Sequence, residues 1–324
     1  MDSRQLGASG LTVSVVGLGC NNLGRADTAT ETLKGSQAVI GAALDAGITL
    51  FDVADSYGKT PGTSEELLGR SLGWRRDGVV VATKFGMDTR GANGPWTGAR
   101  GSRRYITTAV EASLRRLGTD WIDLYQYHTP DGRTPLEETL AALDDLVRAG
   151  KVRYIGHSNL AGWQVAEAEF TARMRHTTRF VSAQNHYNLL DRRAEAEVIP
   201  AAAAYGLGLL PYFPLANGLL TGKYSGGTAP AGSRLSHSRS ELLDRTDWRQ
   251  LARFSEFAAA RELSEVDVAF SWLASRPTVA SVIAGATSPE QVAANAAAVR
   301  WTPSPADLAE LDEIFPLAPK VALF

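Results

Sequence analysis

Strand-like and helix-like segments alternate along this chain, and few folds accommodate that order. Eight short apolar runs rich in β-branched residues recur between turn residues, and most are followed by a stretch with helical periodicity. The runs lie at 15–19, 49–53, 79–83, 122–127, 154–157, 180–184, 207–212 and 281–284. The helical stretches lie at 36–46, 64–72, 103–117, 135–149, 161–175, 194–205 and 266–274. Strands separated by helices run parallel and are joined by right-handed crossovers, and eight of them can close a sheet on itself. The pattern predicts an α/β fold, a (β/α)8 TIM barrel.

The rival is an open doubly wound sheet, which usually carries a glycine-rich nucleotide fingerprint in its first strand-to-helix turn. That turn reads Gly17-Leu18-Gly19-Cys20-Asn21-Asn22, with Asn22 where the third glycine of G-x-G-x-x-G belongs, so the fingerprint fails. A barrel with loop insertions commonly reaches 324 residues as one domain, and residues 1–324 are expected to form a single one. Segment 4–12 holds Gly7, Ser9 and Gly10 between short apolar pieces and predicts a small hairpin ahead of the barrel. Two long Gly-, Pro- and Ser-rich stretches, 86–102 and 217–240, follow strand ends. In a barrel they lie at the C-terminal face, where active sites sit.

Charge excludes some partners. Lys and Arg number 33 against 35 Asp and Glu, a formal charge of −2, so no global positive field exists to hold nucleic acid or an anionic membrane. Arg100, Arg103 and Arg104 form only a local basic cluster, read as a loop-to-helix surface. Cys20 is the only cysteine, which excludes an intrachain disulfide and suits a reducing compartment, the cytoplasm by default. No basic leader precedes an apolar core, and nowhere do about 18 apolar residues run uninterrupted. Neither secretion nor a membrane span is expected.

Barrel strands are apolar inside, so ionisable residues near their C-terminal ends carry the information. Asp52 ends the second run, Tyr57 follows in the loop, Lys84 ends the third run and His128 the fourth. Each alone has an ordinary reading: a capping aspartate, a snorkelling lysine, a hydrogen-bonded core histidine. Together they would converge at one barrel mouth, and their chemistry fits. A tyrosine pKa near 10 suits proton donation only if a cation stabilises the phenolate, and Lys84 can supply one. A buried lysine needs a carboxylate, and Asp52 can provide it. His128 can donate a hydrogen bond to a substrate carbonyl oxygen as negative charge develops there.

The motifs FDVADSYG, ATKFG, LGTDWIDLYQYH, GHSN, YNLLDR, GLLTGKY and AGATSPEQVAAN occur in this order across 11–315. In them the sequence resembles the aldo-keto reductase family, most strongly the bacterial branch that includes potassium-channel β subunits. The resemblance implies hydride transfer from nicotinamide to a carbonyl carbon, with a tetrad that falls on Asp52, Tyr57, Lys84 and His128. It also implies a cofactor, NADPH with NADH possible. The family's cofactor contacts fall on Asp52 and on Cys20, Asn21 and Asn22 after the first strand. Ser158, Asn159 and Gln184 match side chains that hold the carboxamide, although Ser158 and Asn159 are also plausible helix caps. Tyr212 matches the ring stacked on nicotinamide, and Phe213, Pro214, Leu215, Gly218 and Leu219 continue as the pyrophosphate segment, with Lys223 nearby. The last motif contributes Gly285, Thr287, Gln291 and Asn295.

One departure stands out. Members committed to NADPH often carry an arginine around Gly285, Ala286, Thr287, Ser288 or Gln291 to pair with the 2′-phosphate, and no Lys or Arg occurs from Gly285 to Val299. Lys223 or a helix N-terminus near Ser288 would have to serve instead. Other functions on a barrel remain open: a Schiff-base aldolase or sugar isomerase with Lys84 as nucleophile, or a nicotinamide-binding redox-sensing regulatory subunit with slow turnover. The substrate is expected to be a small aldehyde, ketone or keto-sugar, with Trp96 and Trp248 as candidates to line its pocket. His157 and His186 are expected to make structural hydrogen bonds. No His, Cys or carboxylate pair has metal-site spacing, and no metal is expected.

Overall fold

The alternation closes into a barrel. The protein's computed structural model describes residues 1–95, 98–224, 226–230, 234–237 and 240–317. An antiparallel hairpin comes first, β1 (Ser3–Gln5) and β2 (Thr12–Ser14), with Arg4 opposite Val13. Eight parallel strands follow: β3 (Val16–Gly19), β4 (Leu50–Asp52), β5 (Val80–Phe85), β6 (Ile122–Tyr127), β7 (Val152–Ser158), β8 (Phe180–Gln184), β9 (Gly208–Leu209) and β10 (Val282–Gly285). They pair in chain order from β3 to β9, with β10 beside β3. The ring closes where Leu209 N donates to Thr278 O at 2.7 Å, Ala280 N to Leu209 O at 2.9 Å and Ile283 N to Pro211 O at 3.1 Å. The fold is a (β/α)8 TIM barrel with an N-terminal hairpin.

Leu6 and Val13 of the hairpin pack with Leu50, Ala82, Leu124, Leu210, Ala280 and Ile283 in a cluster of their own, separate from the larger core under the helices. Leu50 opens β4, Ala82 and Leu124 lie midway along β5 and β6, and Leu210 follows β9, so the cluster fills the barrel interior on the hairpin's side. Side chains alternate between the two faces of a strand, so the residues two places on also point inward. Those residues are Asp52, Lys84 and Gln126, and the apolar layer below them sets their position.

The helices follow local chemistry. Ser102 accepts from Tyr105 N to start helix Arg103–Leu117, and Gly118 ends it in a left-handed conformation at φ 65°. Helix Leu33–Asp45 begins three residues before the expected start, after Thr32 accepts from Gly35 N. Two expectations need correction, both because of proline. The stretch 194–205 is broken into a short 3-10 turn, Arg193–Glu195, and a helix, Val198–Tyr205. Pro200 would clash with the carbonyl of Ala196 in a continuous helix. The run 207–212 pairs as a strand only over Gly208–Leu209, with Tyr212 returning in an isolated bridge, because Pro211 has no N–H to give. Helices Trp248–Ala259 and Pro305–Ile314 were not among the expected stretches, whereas helix Pro289–Ala297 starts at the helix N-terminus expected near Ser288. No helix among the described residues is long and apolar enough to cross a membrane.

Candidate active site

Asp52, Lys84 and Gln126 meet at the C-terminal end of the barrel because β4, β5 and β6 are neighbours, with Lys84 level with Gln126 in the ladder. Lys84 is fully buried. Its Nζ donates to Asp52 Oδ2 at 2.6 Å, to Val53 O at 3.0 Å and to Tyr57 OH at 3.4 Å. The other Asp52 oxygen accepts from Gln126 Nε2 at 3.1 Å and Gln184 Nε2 at 2.9 Å. Every oxygen of the buried carboxylate is thus met by a donor, which a buried charge requires.

Tyr57 reaches this cluster from a tight loop. Its N–H donates to Ala54 O at 3.1 Å, and Gly58 follows at φ 106°, where a Cβ would lie 2.7 Å from Thr63 Cβ. Only glycine fits there. His128 lies just past β6, its N–H bonded to Phe85 O at 2.8 Å, and its ring meets Tyr57 edge-on at 5.8 Å and 82°. The structure therefore brings all four expected residues together.

Their protonation follows from burial and from one another. Burial alone would push the Lys84 amine down, but Asp52 and Tyr57 outweigh it and hold the pKa above the ordinary lysine value. Burial also raises the Tyr57 phenol, and Lys84 only partly offsets this. Lys84 lowers the phenol as expected, but burial outweighs it, and the phenol keeps its proton throughout the neutral range. Burial, and then the Lys84 charge, push His128 down to about 3. It is a neutral imidazole at physiological pH, and its Nδ1 has no partner among the described residues.

The remaining expected residues ring the same mouth. Ser158, level with Gln184 in the β7–β8 ladder, donates through Oγ to Gln184 O at 2.8 Å. Asn159, in a left-handed conformation at φ 61°, donates to His128 O at 3.0 Å and accepts from Tyr212 OH at 2.8 Å. Cys20 is buried with its thiol pKa pushed up, chiefly by burial, which removes it as a nucleophile at neutral pH.

The Aldo/keto reductase family model matches residues 15–315. The chain belongs to the aldo/keto reductase family. It is 38% identical over 98% of its length to the "Uncharacterized oxidoreductase YrpG" of Bacillus subtilis (strain 168), covering 96% of that protein. It is 36% identical over 94% of its length to a "Probable voltage-gated potassium channel subunit beta" of Oryza sativa subsp. japonica, covering 92% of it. It is 34% identical over 97% of its length to the "L-glyceraldehyde 3-phosphate reductase" of Escherichia coli (strain K12), covering 92% of it.

Aldo/keto reductases use nicotinamide cofactors, so the mouth must offer polar groups without partners and close backbone approach. It does. Asn22 donates to Ala286 O at 3.3 Å while its Oδ1 is buried without a partner among the described residues, as is Asn217 Oδ1. A Cβ on Gly285 would lie 2.9 Å from Asn22 Nδ2. Ala216, Asn217 and Gly218 are consecutive left-handed residues, a strained turn of the kind that accumulates where backbone lines a ligand site. This turn lies within the stretch Phe213, Pro214, Leu215, Gly218 and Leu219, and Lys223 Nζ would come 3.2 Å from a Cβ on Gly218. Thr287 N donates to Gln291 Oε1 at 2.9 Å, Ser288 caps helix Pro289–Ala297, and Asn295 is buried on that helix. These residues fit a nicotinamide dinucleotide.

Other candidates fare differently. Trp96 lies outside the described residues. Trp248 starts helix Trp248–Ala259 and, with Leu219, Tyr224 and Leu251, lines a cavity of about 190 Å³ that contains none of the tetrad. His157 makes no hydrogen bond through either ring nitrogen among the described residues, contrary to expectation; it packs edge-on against Phe180 at 5.3 Å, and burial lowers it to about 3.

Gln126 was missed, although a glutamine between Leu124 and His128, at an inward position of a barrel strand, is a readable signal. A buried polar group around Asp55 was missed as well. Asp55 accepts from Asn93 Nδ2 at 2.8 Å, and Glu65 from Thr83 Oγ1 at 2.6 Å and Arg116 Nε at 2.7 Å. Burial and then Glu65 push Asp55 up to about 8.

Proposed function

We propose that this chain reduces a small aldehyde, ketone or keto-sugar carbonyl with NADPH, NADH being possible, and that Tyr57 is the proton donor. The observation that carries the reading is one contact set: a buried Lys84 ammonium 2.6 Å from Asp52 Oδ2 and 3.4 Å from the Tyr57 phenol. When bound, the nicotinamide supplies the hydride that adds to the carbonyl carbon. Tyr57 gives its phenolic proton to the carbonyl oxygen, completing the alcohol. Lys84, kept charged by Asp52, stabilises the phenolate left behind. Neutral His128 donates a ring N–H to the same oxygen, orienting it and stabilising the charge that builds there.

A raised amine pKa argues against the Schiff-base alternative, because a protonated lysine has no lone pair to attack a carbonyl. For the adenosine phosphate, the candidates are Lys223 and the N-terminal amides of helix Pro289–Ala297, since no cation lies between 285 and 299. The chain is read as one domain, 1–324, acting in the cytoplasm on small molecules, with no nucleic-acid or membrane partner.

The likeness to a channel β subunit favours one second reading, a redox-sensing regulatory subunit with slow turnover. A panel of aldehydes, ketones and keto-sugars, assayed with NADPH and NADH, separates the two. Steady turnover supports the reductase; a single oxidation with the cofactor retained supports the sensor. No oxidation with any carbonyl would contradict both.

A further inference from the structure

His186 and Tyr212 face each other in a parallel backbone bridge beyond the ends of β8 and β9. Partners in such a bridge project to the same face of the sheet. Here their rings stack, with centroids 5.4 Å apart and planes 9° from parallel. Phe213 stands edge-on to both, at 5.2 Å from Tyr212 and 5.7 Å from His186.

Both rings are tied at their rims. His186 Nδ1 lies 3.0 Å from Asp191 Oδ2, and Nε2 lies 3.1 Å from Asn188 Nδ2. Asn188 Oδ1 accepts from Leu190 N and Asp191 N, both at 2.9 Å, and its Nδ2 donates to Phe213 O at 2.9 Å. These backbone bonds fix which end of the amide donates. The Nε2 of His186 must therefore accept, and its proton sits on Nδ1, toward Asp191. Across the stack, the Tyr212 hydroxyl donates to Asn159 Oδ1 at 2.8 Å, and Asn159 in turn holds His128 O at 3.0 Å.

We propose that His186 is a positioning residue for nicotinamide binding, a clamped aromatic wall that fixes the plane of Tyr212. The inference rests on the reading that Tyr212 stacks on the nicotinamide. Tyr212 is only half-buried, so without a wall its ring would have room to swing away from the mouth. His186 meets one face of the ring, and Asn159 meets its tip.

The test is the dissociation constant of NADPH, read by quenching of protein fluorescence, in the wild type and in His186→Ala, His186→Leu, His186→Phe and Tyr212→Ala. The stacking contribution of one aromatic pair corresponds to roughly three- to tenfold in affinity. His186→Ala and His186→Leu are expected to bind more weakly by that factor, and His186→Phe to return to within about twofold of the wild type. The KM for NADPH should rise with the dissociation constant while kcat changes less. A leucine variant that binds like the wild type would mean the position only fills space, and a phenylalanine variant as weak as alanine would mean the stack is not what matters. Either result overturns the role of His186. If Tyr212→Ala binds NADPH normally, the reading of Tyr212 fails first and the inference with it.

Discussion

Asp52→Asn removes the counter-ion of a fully buried cation. Lys84 Nζ touches Asp52 Oδ2 at 2.6 Å, Val53 O at 3.0 Å and Tyr57 OH at 3.4 Å, and only the first of these partners is charged. Removing one member of a buried ion pair typically costs ~3–5 kcal/mol, and the two neutral acceptors that remain put the expectation at the lower end, ~3 kcal/mol near pH 7. The asparagine has one oxygen where the carboxylate has two. Gln126 and Gln184 both donate to Asp52 Oδ1, so a donor must face a donor unless a side chain turns. The pH dependence has a definite sign. In the wild type the Lys84 pKa is raised, so its contribution is present below the ordinary lysine value and is lost only as pH climbs through the folded-state value. In the variant, burial is left to push the amine below the unfolded value. The unfolded chain then binds more protons between the two values, and stability rises with pH across that window. Urea unfolding of both proteins from pH 6 to pH 10 reads this directly. The gap should be ~3 kcal/mol at pH 6 to 7 and shrink toward pH 10 as Lys84 neutralises. A gap under about 1 kcal/mol at pH 7, or one that ignores pH, would refute the pairing.

Three further outcomes are expected. His128→Ala should lower kcat/KM by about two orders of magnitude, the usual scale for losing one donor to a developing oxyanion, and a near-normal value would mean the carbonyl binds elsewhere. Asp55→Asn should leave stability unchanged near pH 4 and raise it above pH 8, because the wild-type carboxyl, held up to about 8, makes the folded state lose stability as pH rises between the unfolded value and that one; equal denaturation midpoints at pH 9 would count against this. Thr287→Arg should sharpen selection of NADPH over NADH by about an order of magnitude, since a charge-assisted bond is worth ~1.5–3 kcal/mol. Comparing the KM ratio in the two proteins decides it; strong wild-type discrimination that the arginine leaves unaltered would mean Lys223 or helix amides already bind the phosphate.

The barrel was legible because its strands and helices differ in period, and the tetrad because charged residues stand out at the ends of apolar strands. Asp52, Lys84 and His128 each break a hydrophobic run, and Tyr57 follows within a loop. Gln126 was less visible because an uncharged amide in a strand looks tolerable until the register puts it beside Lys84. Backbone conformation was the least readable. Gly218 hints at a left-handed turn, but nothing in the letters of Ala216 and Asn217 says that they share it. Pro200 and Pro211 moved element boundaries, while Pro289 and Pro305 each open a helix behind a serine cap. The protonation of Tyr57 also escaped, since the lysine signals a lowered pKa and only the three-dimensional burial reverses it.

The central claim is that Tyr57 protonates the substrate and does not hold the cofactor. Tyr57→Phe keeps the ring and removes only the donor, so its NADPH dissociation constant and its turnover of a simple aldehyde should separate. Binding is expected to stay within about twofold of the wild type while reduction falls by two to four orders of magnitude, roughly the range for losing a positioned general acid. A Tyr57→Phe variant that reduces the aldehyde within about tenfold of the wild-type rate at neutral pH would contradict the account.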